Sequence, residues 1–149
     1  MVFVVLVELV GVIGSIFTSP AIPTWYATLN KPSFNPPNWI FAPVWTLLYL
    51  SMGISAFLIW EKGINKKEVR IALLIFGSQL ILNVLWSYLF FGLKSPSLAF
   101  VGIIVLWLAI TATIYAFYKI SKPAGLILIP YILWVTFAAF LNFSILILN

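Results

Sequence analysis

A chain of 149 residues that is 64% hydrophobic and 7% charged, with a mean hydropathy of +1.17, is not a water-soluble globule. Such globules are nearer half apolar and about a quarter charged. The net charge of +5 does not point to nucleic acid, because the eight Lys and Arg sit in short connectors rather than on one face. Cysteine and histidine are absent, which removes disulfides, Cys/His zinc sites, Cys or His haem ligation and Ser-His or Cys-His catalysis. Glu8, Glu61 and Glu68 are too few for a carboxylate metal cage, so neither a metal nor a resident cofactor is expected.

Five apolar runs follow one another, at about 2–18, 44–60, 69–92, 97–118 and 124–148. Each is long enough to cross roughly 30 Å of hydrocarbon at about 1.5 Å per residue. Continuous runs without period-two alternation predict helices rather than barrel strands. The expected fold is an all-α membrane protein: one domain over 1–149, a bundle of five transmembrane helices. The first run has no basic segment before it and carries Glu8 in its middle, so it reads as a retained helix rather than a secretory signal. Glu8 is the sole acid inside a span, and snorkelling to the interface weighs equally with a functional role.

Between the first two runs lies a loop, 19–43, containing "WYATLNKPSFNPPNWIFAPVW" at 25–45. It is too long for an idle connector. Pro32, Pro36, Pro37 and Pro43 stiffen it, which predicts a semi-rigid aromatic lid. Lys62, Lys66, Lys67, Arg70, Lys119 and Lys122 lie on one side of the membrane, and only Lys31 and Lys94 on the other. By the positive-inside rule, the N-terminus is cytoplasmic and the loop external.

Three helices carry stripes of aromatic and polar residues at helical spacing. The second presents Trp45, Tyr49, Met52 and Ala56; the third Gln79, Asn83, Trp86 and Phe90; the fifth Tyr131, Trp134, Ala138 and Leu141. The Gln79 and Asn83 amides need partners in hydrocarbon, supplied either by neighbouring helices or by a ligand pocket flanked by Trp86 and Phe90. Pro130 is expected to kink the fifth helix and free the Leu126 carbonyl. Gly11 and Ser15, and Ala109, Ala112 and Ala116, read as close-packing residues that also suit a homodimer.

The motifs Trp25-Tyr26, "KPSFNPPNW" at 31–39, "PVW" at 43–45, "QLILNVLW" at 79–86, "FFG" at 90–92, "PYILW" at 130–134 and Leu141-Asn142 resemble the TspO/MBR family of tryptophan-rich sensory and translocator proteins. The resemblance covers every part of the chain except the fourth helix. It implies five transmembrane helices, often dimeric, in a bacterial-type cell-membrane protein. It also implies a pocket near the loop that binds protoporphyrin-type tetrapyrroles and drug-like isoquinoline-carboxamides or benzodiazepines. By position, the pocket residues fall on Phe41, Ala42, Trp45, Asn83, Trp86, Trp134, Ala138 and Leu141; Tyr26, Trp39, Tyr49 and Phe90 join them from the loop and the stripes. Phe143 stands where mitochondrial relatives carry the Tyr of a sterol-recognition pattern, and no basic residue follows it, so that motif is not supported.

The leading reading is a tetrapyrrole-binding sensor, in which tryptophan faces stack on a flat ring. The alternative is light- and oxygen-dependent protoporphyrin degradation, with Trp45 and Trp134 as the reacting residues. A porphyrin transporter fits less well, since no repeat or ion-coupling site is visible.

Overall fold

The computed structural model describes residues 2–149, and every regular element among them is helical. Helix α1 spans Val2–Ala21, α2 Phe41–Trp60 and α3 Lys67–Ser87, which runs on into a π turn at Tyr88–Gly92. Helix α4 spans Pro96–Ile120, while α5 (Lys122–Ile127) and α6 (Ile129–Leu148) together form the fifth membrane segment. Five segments are long and apolar enough to cross a membrane. Side chains such as Leu74, Ile81, Leu133 and Phe140 project outward and are exposed, as lipid solvation of the bundle requires. This is an integral membrane protein.

The prolines explain several boundaries. Pro43 and Pro96 fall in the first turn of α2 and of α4, where a missing N–H breaks no helical bond. Helix α2 therefore begins at Phe41, three residues earlier than the apolar run suggests. Helix α1 continues through Ser19-Pro20 to Ala21, and the Thr24 hydroxyl then donates to the Pro20 carbonyl at 2.8 Å. Pro130 has no N–H to offer the Leu126 carbonyl, and the helix breaks at Leu128 before restarting as α6, with Ile132 N–H donating to Leu128 O at 3.2 Å. At the end of α3 the π turn is closed by Leu93 N–H donating to Tyr88 O at 2.7 Å.

The helices form a ring: α1 packs on α2 and α3, α4 on α3, α5 and α6, and α2 closes on α5. At the end bearing the 61–66 connector the ring is tight. Met52, Ala56, Ile59, Val69, Ala72, Phe117 and Ala124 are fully buried there, and Phe76 stacks on Phe117 at 5.6 Å. The Ser55 hydroxyl donates to the Ala124 carbonyl at 2.6 Å, which ties α2 to α5. At the other end α6 diverges after the Leu128 break, and the 22–40 segment folds across the opening.

Candidate functional site

The opening is a cavity of about 190 Å³ between α1, α2, α3 and α6, roofed by the loop. Its walls come from the stripes that the helical periods set on one face. Trp45 and Tyr49 of α2 lie one turn apart, with ring centroids 5.6 Å apart. Trp86 stacks on Phe90 at 5.4 Å on α3, and Trp134 meets Phe137 at 5.5 Å on α6.

A chain of buried hydrogen bonds forms the floor. Tyr49 Oη donates to Asn83 Oδ1 at 2.7 Å, Asn83 Nδ2 donates to Tyr131 Oη at 2.8 Å, and Tyr131 Oη donates to Gln79 Oε1 at 2.7 Å. Each of these groups is nearly or wholly buried, so the network supplies the partners that hydrocarbon does not. Gln79 lies beneath the cavity and its amide serves helix packing. Asn83 does both: it lines the cavity while tying α3 to α2 and α6. Beside it, Trp86 Nε1 donates to Asn142 Oδ1 at 3.1 Å, and Asn142 Nδ2 donates to the Pro96 carbonyl at 2.9 Å.

The roof is held by rings and amides. Tyr26 is 2% exposed and packs against Phe41, Phe90 and Phe91, and its hydroxyl donates to Asn35 Oδ1 at 2.8 Å. Burial pushes this phenol above its usual pKa, so it remains a neutral donor. The Lys31 ammonium sits 4.8 Å over the Tyr26 ring and donates to Leu29 O. Phe34 packs on Phe137 at 6.1 Å, and Trp25 on Phe90 at 5.4 Å. Asn30 and Asn149 clasp each other: Asn30 N–H donates to Asn149 Oδ1 at 3.1 Å, and Asn149 Nδ2 returns a bond to Asn30 O at 2.9 Å.

Eleven of the twelve candidate residues line this one cavity: Tyr26, Phe41, Ala42, Trp45, Tyr49, Asn83, Trp86, Phe90, Trp134, Ala138 and Leu141. Trp39 does not. It lies in the 3-10 turn Asn38–Ile40 that precedes α2, and there it points away from the bundle with 73% of its surface exposed. Its position suits an interfacial anchor. Sequence reasoning passed over the α1 wall, where Gly11, Gly14, Ser15 and Thr18 face the aromatic stripes. Their 3-4-7 spacing was a visible signal, but small residues register as packing when no ring marks them. Phe137 and Asn142 were also missed, though each continues the α6 stripe at helical spacing from Trp134 and Ala138.

The model of the TspO/MBR family matches residues 3–148. The chain belongs to the TspO/MBR family. It is 48% identical over 140 residues to the tryptophan-rich protein TspO of Chlorobaculum tepidum, covering 94% of this chain and 89% of that one. It is 39% identical over 142 residues to the translocator protein of Bos taurus, covering 95% and 84%. It is also 39% identical over 126 residues to the tryptophan-rich sensory protein of Cereibacter sphaeroides, covering 84% and 77%. In this TspO/MBR chain the aromatic motifs form three walls and the roof of one cavity, and the unremarkable small residues of α1 form the fourth wall.

Proposed function

We propose that this chain is a membrane sensor or translocator-type receptor that binds a protoporphyrin-type tetrapyrrole, or a drug-like aromatic molecule of similar flatness, in the cavity beneath the 22–40 loop. The observation that carries the reading is the convergence of Trp45, Trp86 and Trp134 on one cavity with a hydrogen-bonded floor. Flat indole faces stack on a planar macrocycle, and a wall without charged residues suits a ligand that partitions into lipid. The names of the translocator and sensory relatives agree with such a role. The N-terminus is assigned to the cytoplasm and the loop to the external side, on the six-to-two split of Lys and Arg.

At about 190 Å³ the cavity falls short of the roughly 300–1,000 Å³ of ordinary ligand pockets, so a macrocycle must displace side chains to enter. The Phe34–Phe137 and Trp134–Phe137 contacts can yield without loss of a hydrogen bond. A tryptophan-quenching titration with protoporphyrin IX is the test. Saturable quenching is expected, with affinity weakened about tenfold or more in Trp45→Phe or Trp134→Phe. Linear, non-saturating quenching in the native chain removes the reading.

A second reading has an observation in its favour: the indoles of Trp45 and Trp134 lie at the cavity surface, where a photo-excited porphyrin and oxygen, the oxidant, would meet them. Degradation of bound protoporphyrin under light is then expected, with Trp45 and Trp134 as the reacting residues. Loss of the Soret band no faster than with Trp134→Phe ends that reading.

A further inference from the structure

A second concavity of about 490 Å³ lies on the outer, lipid-facing side of the bundle, between α2 and α6. Val44, Leu47, Leu48 and Ser51 form one side, and Pro130, Leu133, Trp134 and Phe137 the other. Its single polar side chain, Ser51, spends its hydroxyl on the Leu47 carbonyl at 3.0 Å. The groove is therefore apolar in character. Trp134 and Phe137 also line the inner cavity, so these two side chains stand between the lipid side and the binding space.

We propose that this groove is the lateral entrance of the cavity. A planar apolar molecule dissolved in the bilayer would lodge between α2 and α6 and pass inward as Trp134 and Phe137 turn aside. The inference rests on the cavity being a ligand site, as argued above.

Three features favour this route over the loop. The backbones part here, because α2 packs on α5 and the Pro130 break carries α6 away from it. Rotation of Trp134 breaks no hydrogen bond: the indole N–H groups of Trp86 and Trp107 are bonded to Asn142 and Thr136, whereas that of Trp134 has no partner among the described residues. The loop, by contrast, is tied to the end of α6 by the bonds of Asn30 to Leu148 and Asn149, and by the burial of Tyr26. Opening it would break those bonds and uncover the Tyr26 ring, whereas opening the groove requires only two rotamer changes.

The test has two arms in lipid nanodiscs. In the first, acyl-chain-brominated lipid quenches tryptophans it can touch, and the Trp134 share of emission is taken as native minus Trp134→Phe. This arm needs no ligand. We expect that share to fall at least twofold in brominated lipid, and the loss to disappear when the groove is filled in Leu47→Phe/Ser51→Phe. A Trp134 share that is unquenched, or quenched equally in the filled variant, overturns the proposal. In the second arm, protoporphyrin IX is preloaded in the bilayer and its binding rate followed. The filled variant is expected to bind and release at least tenfold more slowly with an unchanged Kd, while an Asn30→Cys/Asn149→Cys disulfide that locks the loop leaves the rates as they are. A native association rate in the filled variant overturns the lateral route. Absence of saturable binding by the native chain defeats the ligand-site reading instead, and the bromine arm then decides on its own whether lipid reaches the gate.

Discussion

The two ends of the bundle are built from the same apolar alphabet and behave oppositely. At the connector end, small residues let backbones touch: a Cβ on Gly125 would meet the Tyr118 backbone at 2.8 Å, and one on Gly53 would meet Val4 Cα at 2.6 Å. At the loop end, a Cβ on Gly14 would meet nothing nearer than the Ser87 hydroxyl, at 3.6 Å, although one on Gly11, a turn earlier, would press on the Tyr49 ring at 2.7 Å. The two glycines of the α1 wall thus differ in what lies across from them, a packed ring for Gly11 and open cavity for Gly14. Residue size alone does not distinguish a contact from a space, but the partner across the gap does.

The largest effect expected follows from that contrast. Gly125→Ala forces a methyl into backbone that cannot move aside, and a loss of roughly 3 kcal/mol is expected, the upper part of the overpacking range. Gly14→Ala should stay within about 0.5 kcal/mol, since the added carbon makes an ordinary contact. Thermal unfolding of both variants in one detergent measures the difference. Equal destabilisation would mean that the two ends are not distinct.

Between the ends lies the Tyr49–Asn83–Tyr131–Gln79 network, and Tyr131→Phe sharpens its role as the boundary. Loss of one hydroxyl leaves Asn83 Nδ2 and Gln79 Oε1 each short of a partner. Interhelical bonds in membranes are worth about 0.6 kcal/mol on average and rarely exceed about 1.7, so a loss of about 1–2 kcal/mol is expected. Tyr49→Phe removes one bond, to Asn83 alone, and should cost about half as much. A Tyr131→Phe protein as stable as the native one would reduce the network to a bystander of ring packing.

Much of this was legible in the sequence, because helical period and burial act locally. The stripe from Trp45 to Tyr49 and the one from Asn83 to Phe90 follow from 3.6 residues per turn and needed no tertiary information. The break at Pro130 was also written in the chain, since a proline cannot supply the N–H its neighbour four residues back requires. Trp39 shows the limit. Its type matched its neighbours, but its direction depended on where the turn before α2 begins, and that is set by how the loop docks. The Asn30–Asn149 clasp joins residues at opposite ends of the chain and has no local signature. The Gly11–Thr18 wall shows a related limit: its spacing was visible, but a small residue declares nothing about what lies across from it.

The clasp gives the smallest effect and separates how the two ends are held. At the connector end packing does the holding, whereas the loop end adds a few exposed polar bonds to the packing of its rings. Asn149→Ala removes the side chain that accepts from Asn30 N–H and donates to Asn30 O and Ile145 O. Water replaces such partners readily at an exposed site, so the net loss should be near 1 kcal/mol or less and confined to the loop. The midpoint of global unfolding is therefore expected to move by no more than about 2–4 °C. Local opening of the 22–40 segment should rise more visibly, since about 1.4 kcal/mol corresponds to a tenfold change in its equilibrium. Hydrogen exchange resolves the two: amides of the loop should exchange up to about fivefold faster, with those of α3 and α4 unchanged. If the α3 and α4 amides accelerate together with the loop, the clasp supports the whole bundle, and the two ends form one cooperative unit.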